Sequence, residues 1–143
     1  MYPTEKTLVD QFVRTLSDAS NPWGRLEVSC EFFYARGRTD VLALADGNIL
    51  IAFEAKLRDW RRALDQAYRN TCFAHKSFVL VPPSTALVAY AYLAEFRSRG
   101  VGLCYMDPAG FIRVLEEPEV SAPIEPWIAS RAATHVRSEN EVV

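Results

Sequence analysis

Apolar residues recur along the chain with a helical period in some stretches and a strand period in others. In residues 4–17 they recur every three or four positions, which predicts a helix capped by Thr4. In residues 25–34 they recur at every second position, which predicts a strand. That alternation places Val28, Cys30, Phe32 and Tyr34 together on one face of the strand.

The rest of the chain continues with two strands and then alternates between helix and strand. The predicted elements are strands 39–45 and 49–57, a helix from Asp59 to about residue 72, strand 77–81, a helix over 86–99 ended by Gly100, and strands 101–106 and 111–115. The inner face of the helix after Asp59 is predicted to be Trp60, Leu64, Ala67, Tyr68 and Thr71. The order α-β-β-β-α-β-α-β-β predicts an α/β fold with a mixed central β-sheet flanked by helices on both faces.

The end of the chain has a different character from residues 1–117, which we assign to the folded domain. In residues 118–143, three prolines at 118, 123 and 126 prevent a long helix before Trp127. The last residues are polar. We therefore predict that residues 118–143 form a proline-containing strap that ends in a disordered tail.

Composition narrows the class of protein. The 143 residues are 50% apolar and 24% charged, which excludes a wholly disordered chain. No apolar stretch approaches the roughly 20 residues of a membrane span, and no secretory signal is evident. Three scattered cysteines without C-x-x-C spacing argue against a disulfide framework or a zinc ribbon and favour reduced core residues. We therefore expect a cytoplasmic protein with no membrane partner.

Two charged residues interrupt an apolar strand. Glu54 and Lys56 lie two positions apart, so a strand places both on one face. A two-residue hairpin loop would set Asp40 opposite Phe53, on the other face. A three-residue loop, Asp46-Gly47-Asn48, pairs Ala45 with Ile49 and sets Asp40 opposite Glu54. We predict this odd-numbered loop, or a bulge that restores the same parity.

These residues resemble the motifs of a nuclease superfamily. Gly37-Arg38-Thr39-Asp40, Phe53-Glu54-Ala55-Lys56 and Gln66-Ala67-Tyr68 are similar to the PD-(D/E)XK nucleases, with Thr39 where that pattern has proline. The resemblance implies the restriction-endonuclease-like fold. It also implies that Asp40 and Glu54 hold Mg²⁺, with Mn²⁺ as a substitute, and that Lys56 orients or activates the attacking water. It gives Gln66 a supporting role and makes Glu5 an accessory candidate.

Basic residues cluster near these motifs, whereas the segment from residue 107 to 125 is acidic. The candidates for nucleic-acid contacts are Arg36, Arg38, Arg58, Arg62 and Arg69. The net charge of −2 argues against coating nucleic acid through bulk charge, so a local basic face is expected to do this work. DNA is favoured over RNA, and a homodimer or a larger protein complex is the expected assembly.

The function predicted from the sequence is Mg²⁺-dependent hydrolysis of phosphodiester bonds by a metal-activated water. One alternative is a non-catalytic nucleic-acid-binding or protein-interaction module of the same fold. Another is an unrelated α/β domain in which Glu54 and Lys56 are a plain ion pair and Asp40 is a turn residue. The aromatic run 32–34 and the tryptophans Trp60 and Trp127 are predicted to be core residues, not base-stacking platforms.

Overall fold

The computed structural model describes residues 2–18 and 20–141, which form one six-stranded sheet flanked by helices. The strands are β1 (Leu26–Tyr34), β2 (Gly37–Ala45), β3 (Ile49–Ala55), β4 (Lys76–Val81), β5 (Gly102–Met106) and β6 (Ile112–Glu116). The helices are α1 (Glu5–Leu16), α2 (Trp60–Asn70), α3 (Pro83–Ala89), α4 (Leu93–Arg99) and α5 (Pro126–Glu139). Among these, no helix has the length and apolar character to cross a membrane.

The sheet is mixed, as the sequence predicts, and its spatial order is β1-β2-β3-β4-β5-β6. β3, β4 and β5 are parallel, while the pairs β1–β2, β2–β3 and β5–β6 are antiparallel. Helix α1 packs its buried residues against one face of the sheet, and α2 to α5 cover the other. The prediction of helices on both faces is therefore confirmed. Predicted helix signals are confirmed too, since Thr4 and Asp59 cap α1 and α2 and Gly100 ends α4 at φ 67°.

The predicted helix over residues 86–99 is interrupted. Helix α3 already starts at Pro83, where the missing N–H of proline costs nothing, and residues 90–92 form a 3-10 turn before α4. The turn brings Tyr92 against the ring of Trp60, 5.3 Å away between centroids. Periodicity alone does not reveal such a change of pitch, because the apolar spacing of the two helix types is similar.

The prediction of a disordered tail is wrong for most of the segment. Residues 126–139 form α5, which buries Ile128, Ala132 and Val136 against β1, β2 and β3. These three residues are four positions apart and therefore share one helix face. Polar residues surround them, so the apolar stripe is narrow and easily overlooked. The predicted end of the tail, residues 142 and 143, lies outside the described residues.

Strand β1 does not keep a single inner face along its length. Val28 packs on the α1 side of the sheet, whereas Phe32 and Tyr34 are buried on the side of α5. The change occurs around Glu31, which has a positive φ of 53° and breaks the regular alternation. The prediction that these residues share a face with Cys30 is therefore wrong, and Cys30 is exposed, not a core residue.

Candidate functional site

The hairpin between β2 and β3 sets the position of the acidic residues. Ala45 pairs with Ile49, so the loop has three residues and the predicted parity is confirmed. Gly47 and Asn48 take left-handed conformations with φ values of 78° and 64°, which suits the residue types found there. The pairing ends with Val41 opposite Phe53, and Asp40 and Glu54 are the next residues of the two strands beyond this last pair.

Asp40 is held in place through both of its carboxylate oxygens. Its Oδ2 accepts a hydrogen bond of 2.9 Å from the backbone N–H of Ala55, the residue that follows Glu54. Its Oδ1 lies 3.2 Å from Nη2 of Arg38. These contacts hold the Asp40 carboxylate at the end of β3, against the backbone of the residue that follows Glu54. Asp40 is therefore not a solvated turn residue.

Glu54 is buried and oriented by a polar network. The residue is 1% exposed, and its Oε2 accepts a hydrogen bond of 2.8 Å from Nδ2 of Asn70. The Oδ1 of Asn70 in turn accepts hydrogen bonds from the hydroxyls of Tyr34, at 2.6 Å, and Thr39, at 2.9 Å. These two hydroxyls occupy the amide oxygen of Asn70, so its NH₂ group is directed at Glu54.

The electrostatic environment of Glu54 favours its protonated form. Burial is the largest cause that raises the pKa of Glu54, to about 8, and the negative charge of Asp40 is the second. The hydrogen bond from Asn70 opposes this shift because it stabilises the ionised carboxylate. The carboxyl groups of Asp40 and Glu54 thus lie close together at the end of β3, where ionisation of both would bring two like charges together.

Lys56 lies just beyond β3 and does not form the ion pair with Glu54 that the simplest alternative requires. Its Nζ is 3.7 Å from Oε1 of Glu5, in the first turn of α1. Its backbone N–H continues the parallel pairing by donating to the carbonyl of Leu80. The structure therefore brings the accessory candidate Glu5 to Lys56, and the lysine side chain keeps a quarter of its surface exposed.

Gln66 is half-buried on α2 and makes no side-chain hydrogen bond within the described part of the chain. Asn70, one turn further along the same face of the helix, makes the contact with Glu54. The predicted inner face of α2 named Tyr68 and Thr71 in place of Asn70, yet Tyr68 is 53% exposed and Asn70 is buried. The spacing of Ala63, Ala67 and Asn70 is the signal that could have found this residue.

The predicted basic residues are exposed and fall into two groups. Arg36 and Arg38 stand at the turn between β1 and β2, where Arg36 lies 3.4 Å from Glu125 and Arg38 contacts Asp40. Arg58, Arg62 and Arg69 form no ion pair with any residue that the structure describes. Arg62 and Arg69 are seven positions apart, on the side of α2 that carries Gln66.

The carboxylate oxygens of Asp40 and Glu54 are the type of ligand that a hard divalent cation prefers. Mg²⁺ is commonly held by one or two carboxylates together with water, and a cation between these two groups would offset their mutual repulsion. Within residues 2–18 and 20–141, no group of three His, Cys, Asp or Glu side chains is placed to bind a metal. Asp40 and Glu54 are thus the residues that could hold such a cation, together with water.

Replacing Asn70 with alanine is expected to reduce the free energy of unfolding by roughly 2–4 kcal/mol, because three buried polar groups lose their partner. Urea denaturation at neutral pH in EDTA measures the change. Gln66→Ala is the matched control, since this half-buried amide makes no side-chain hydrogen bond to a described residue, and it should cost less than about 1 kcal/mol. Equal losses in the two variants would contradict the network.

Comparisons with known proteins show a similar fold and no family. No family model and no curated protein matches the chain. A solved structure described as "SPO1766 protein of unknown function from Silicibacter pomeroyi" is similar, with a TM-score of 0.64 and 19% sequence identity. The match covers 97% of this chain and 90% of that chain. At this level of identity the similarity concerns the fold alone: a mixed α/β architecture with a six-stranded sheet flanked by helices.

Proposed function

We propose that this protein is a Mg²⁺-dependent nuclease of the restriction-endonuclease-like fold, which hydrolyses phosphodiester bonds and acts on DNA in preference to RNA. One observation carries the proposal. A buried Glu54 lies beside Asp40, is oriented by Asn70, and has a pKa raised to about 8 by burial and by the charge of Asp40. A buried carboxyl group with a purely structural role would be expected to pair with an arginine or a lysine. Perturbed pairs of this kind are typical of functional sites.

The order of elements supports the same proposal. A helix, three antiparallel strands, a helix and a parallel strand follow one another from α1 to β4, and the two acids come from β2 and β3. This arrangement agrees with the resemblance of residues 37–40 and 53–56 to the PD-(D/E)XK motifs. The cytoplasmic location and an assembly as a homodimer or larger complex belong to the proposal as well.

Each residue of the site has a definite task in the proposed reaction. Mg²⁺ would lower the pKa of a bound water and neutralise charge on the phosphate. Asp40 and Glu54 would hold the cation, and the backbone N–H of Ala55 and the amide of Asn70 orient the two carboxyl groups. Lys56 contributes a positive charge at the end of β3, where it would stabilise the developing negative charge.

The exposed arginines account for substrate binding. Arg62 and Arg69 on α2, and Arg58 just before it, leave their guanidinium groups free of ion pairs within the described residues. Phosphate oxygens accept hydrogen bonds from such groups without reading base sequence. We therefore propose cleavage with weak sequence preference, directed by the structure of the nucleic acid.

The test is cleavage of end-labelled single-stranded, double-stranded and branched DNA and of RNA, with Mg²⁺, Mn²⁺ or EDTA. We expect metal-dependent cleavage by the wild type that is lost in Glu54→Gln, because the uncharged amide cannot replace a metal-binding carboxylate. Glu119→Gln, an exposed position on the strap, is the control and should retain full activity. An absence of cleavage on every substrate, or cleavage that survives Glu54→Gln, would overturn the proposal.

A further inference from the structure

Strand β1 forms one edge of the sheet. Among the strands that the structure describes, it pairs with β2 alone, so its other side has no strand beside it. The backbone N–H and C=O groups on the open side of an edge strand can pair with a strand of another molecule, and proteins therefore cover or interrupt such edges. Because β1 is nine residues long, an uncovered edge would offer a long template for this pairing.

Helix α5 places two polar side chains against the backbone of β1. Nε2 of His135 lies 3.1 Å from the carbonyl oxygen of Cys30. Nδ2 of Asn140, at the end of the helix, donates to the carbonyl oxygen of Val28 at 2.9 Å. Carbonyl groups two residues apart in an antiparallel strand point to the same edge. Since these two contact a helix and not a strand, we assign them to the open edge of β1.

A third contact continues along this edge. Nη2 of Arg131 lies 3.5 Å from the carbonyl oxygen of Phe33. Phe33 comes three residues after Cys30, and an odd spacing would ordinarily turn its carbonyl group to the other side. The positive φ of Glu31, between them, breaks the alternation and accounts for the difference. We name the three side chains the edge cover: Arg131, His135 and Asn140.

Few apolar side chains attach α5 to the sheet. Its buried residues are Ile128, Ala132 and Val136. Trp127 and Phe33 are expected from the sequence to lie in the core, yet they are 62% and 64% exposed, so neither strengthens this attachment. A short apolar stripe of this kind stabilises a helix weakly. The polar contacts with β1 therefore matter for keeping α5 along the edge.

We infer that the edge cover prevents β1 from pairing with β1 of a second copy of this chain. The donor groups of Arg131, His135 and Asn140 occupy the carbonyl oxygens to which the N–H groups of an added strand would bind. This inference does not depend on the proposed reaction. It does constrain the proposed assembly, because a homodimer of this chain must then form through another surface.

The sequence of β1 suits pairing with a second β1 once the edge is uncovered. Antiparallel pairing about a two-fold axis at Val28 sets Leu26 opposite Cys30 and Glu27 opposite Ser29. No like charges face each other in this register, and apolar side chains lie next to each other across the pair. A second copy of the chain is therefore the partner that an uncovered edge would bind.

The test compares three forms of the full chain. They are the wild type, the uncovered variant Arg131→Ala/His135→Ala/Asn140→Ala, and the matched control Ser130→Ala/Thr134→Ala/Ser138→Ala. The control also removes three polar groups from α5, but these are exposed and make no side-chain hydrogen bond to a described residue. Circular dichroism checks that helix content is retained.

Two measurements report pairing at the edge. Sedimentation velocity over a range of protein concentrations gives the oligomeric state. A long, flexible bismaleimide then cross-links two copies of Cys30 when two β1 strands lie side by side. Cys30 is suited to this because it is exposed, whereas Cys72 and Cys104 are buried. A homodimer formed through a distant surface changes the first measurement without the second.

We expect the uncovered variant to give at least about 5-fold more Cys30 cross-link than the wild type or the control, together with a shift in sedimentation towards a dimer. If the triple substitution lowers helix content, Arg131→Ala/His135→Ala carries the same comparison, since it leaves Asn140 at the end of α5. A folded uncovered variant that cross-links no more than the control, or a wild type that cross-links as strongly as the variant, would overturn the inference.

Discussion

Lys56→Ala is expected to lower the rate of metal-dependent cleavage at least about 100-fold, because a positive charge directed at a developing negative charge contributes several kcal/mol to transition-state stabilisation. Lys56 lies two residues after Glu54, at the end of β3. Its one ion pair in the described structure, with Glu5 at 3.7 Å, is long and partly exposed and adds little to stability. The variant should therefore fold normally and retain its metal affinity. Single-turnover cleavage with saturating Mg²⁺ measures the loss.

Lys76→Ala is the control for this experiment. Lys76 begins β4 at the opposite end of the parallel strands and pairs with Glu117 at 2.6 Å, so it shares the sheet but not the site. Its replacement should leave the cleavage rate within about 2-fold. A Lys56→Ala variant that cleaves as fast as Lys76→Ala would remove Lys56 from the reaction.

The second large effect is a dependence of stability on pH that originates at Glu54. In the metal-free folded protein the pKa of Glu54 is raised from 4.5 to about 8, so between these values the folded state binds a proton that the unfolded chain has lost. The contribution of Glu54 to stability therefore falls as pH rises through this window and is lost above about pH 8. We expect Glu54→Gln to be more stable than the wild type at pH 8.5 by roughly 1–3 kcal/mol, and close to it at pH 5.

Urea denaturation in EDTA at pH 5, 7 and 8.5 measures this difference. His75, whose pKa is lowered by burial, is present in both proteins, so its contribution cancels in the comparison. Parallel pH profiles for the wild type and Glu54→Gln would show that Glu54 ionises normally. That result would remove the electrostatic argument for the site.

The position of Asp40 relative to Glu54 could be predicted from two features of the sequence, the alternation of strand side chains and the number of residues in the hairpin loop. Strand side chains alternate with a period of two, so a loop of three residues predicts Asp40 beside Glu54, and the pairing of Ala45 with Ile49 confirms that loop. The caps Thr4 and Asp59 were equally predictable, because they depend on local hydrogen bonds.

The remaining features depend on tertiary contacts that leave a weak trace in the sequence. Asn70 is polar and near the end of α2, and it becomes a buried residue only because Tyr34, Thr39 and Glu54 come together around it. The narrow apolar stripe of α5 indicates a packed helix only once the face of β1 to β3 that it covers is known. Glu31 breaks the alternation of β1 through its positive φ, and glutamate is not a residue type that predicts this backbone conformation.

A titration with Mn²⁺ shows whether Asp40 and Glu54 together form one divalent-metal site. Isothermal titration calorimetry at pH 8.5, above the pKa of Glu54, would be carried out on the wild type, Asp40→Asn and Glu54→Gln. We expect one Mn²⁺ per chain in the wild type and a loss of binding in both variants. Failure of the wild type to bind Mn²⁺, or binding that both substitutions leave unchanged, would contradict it.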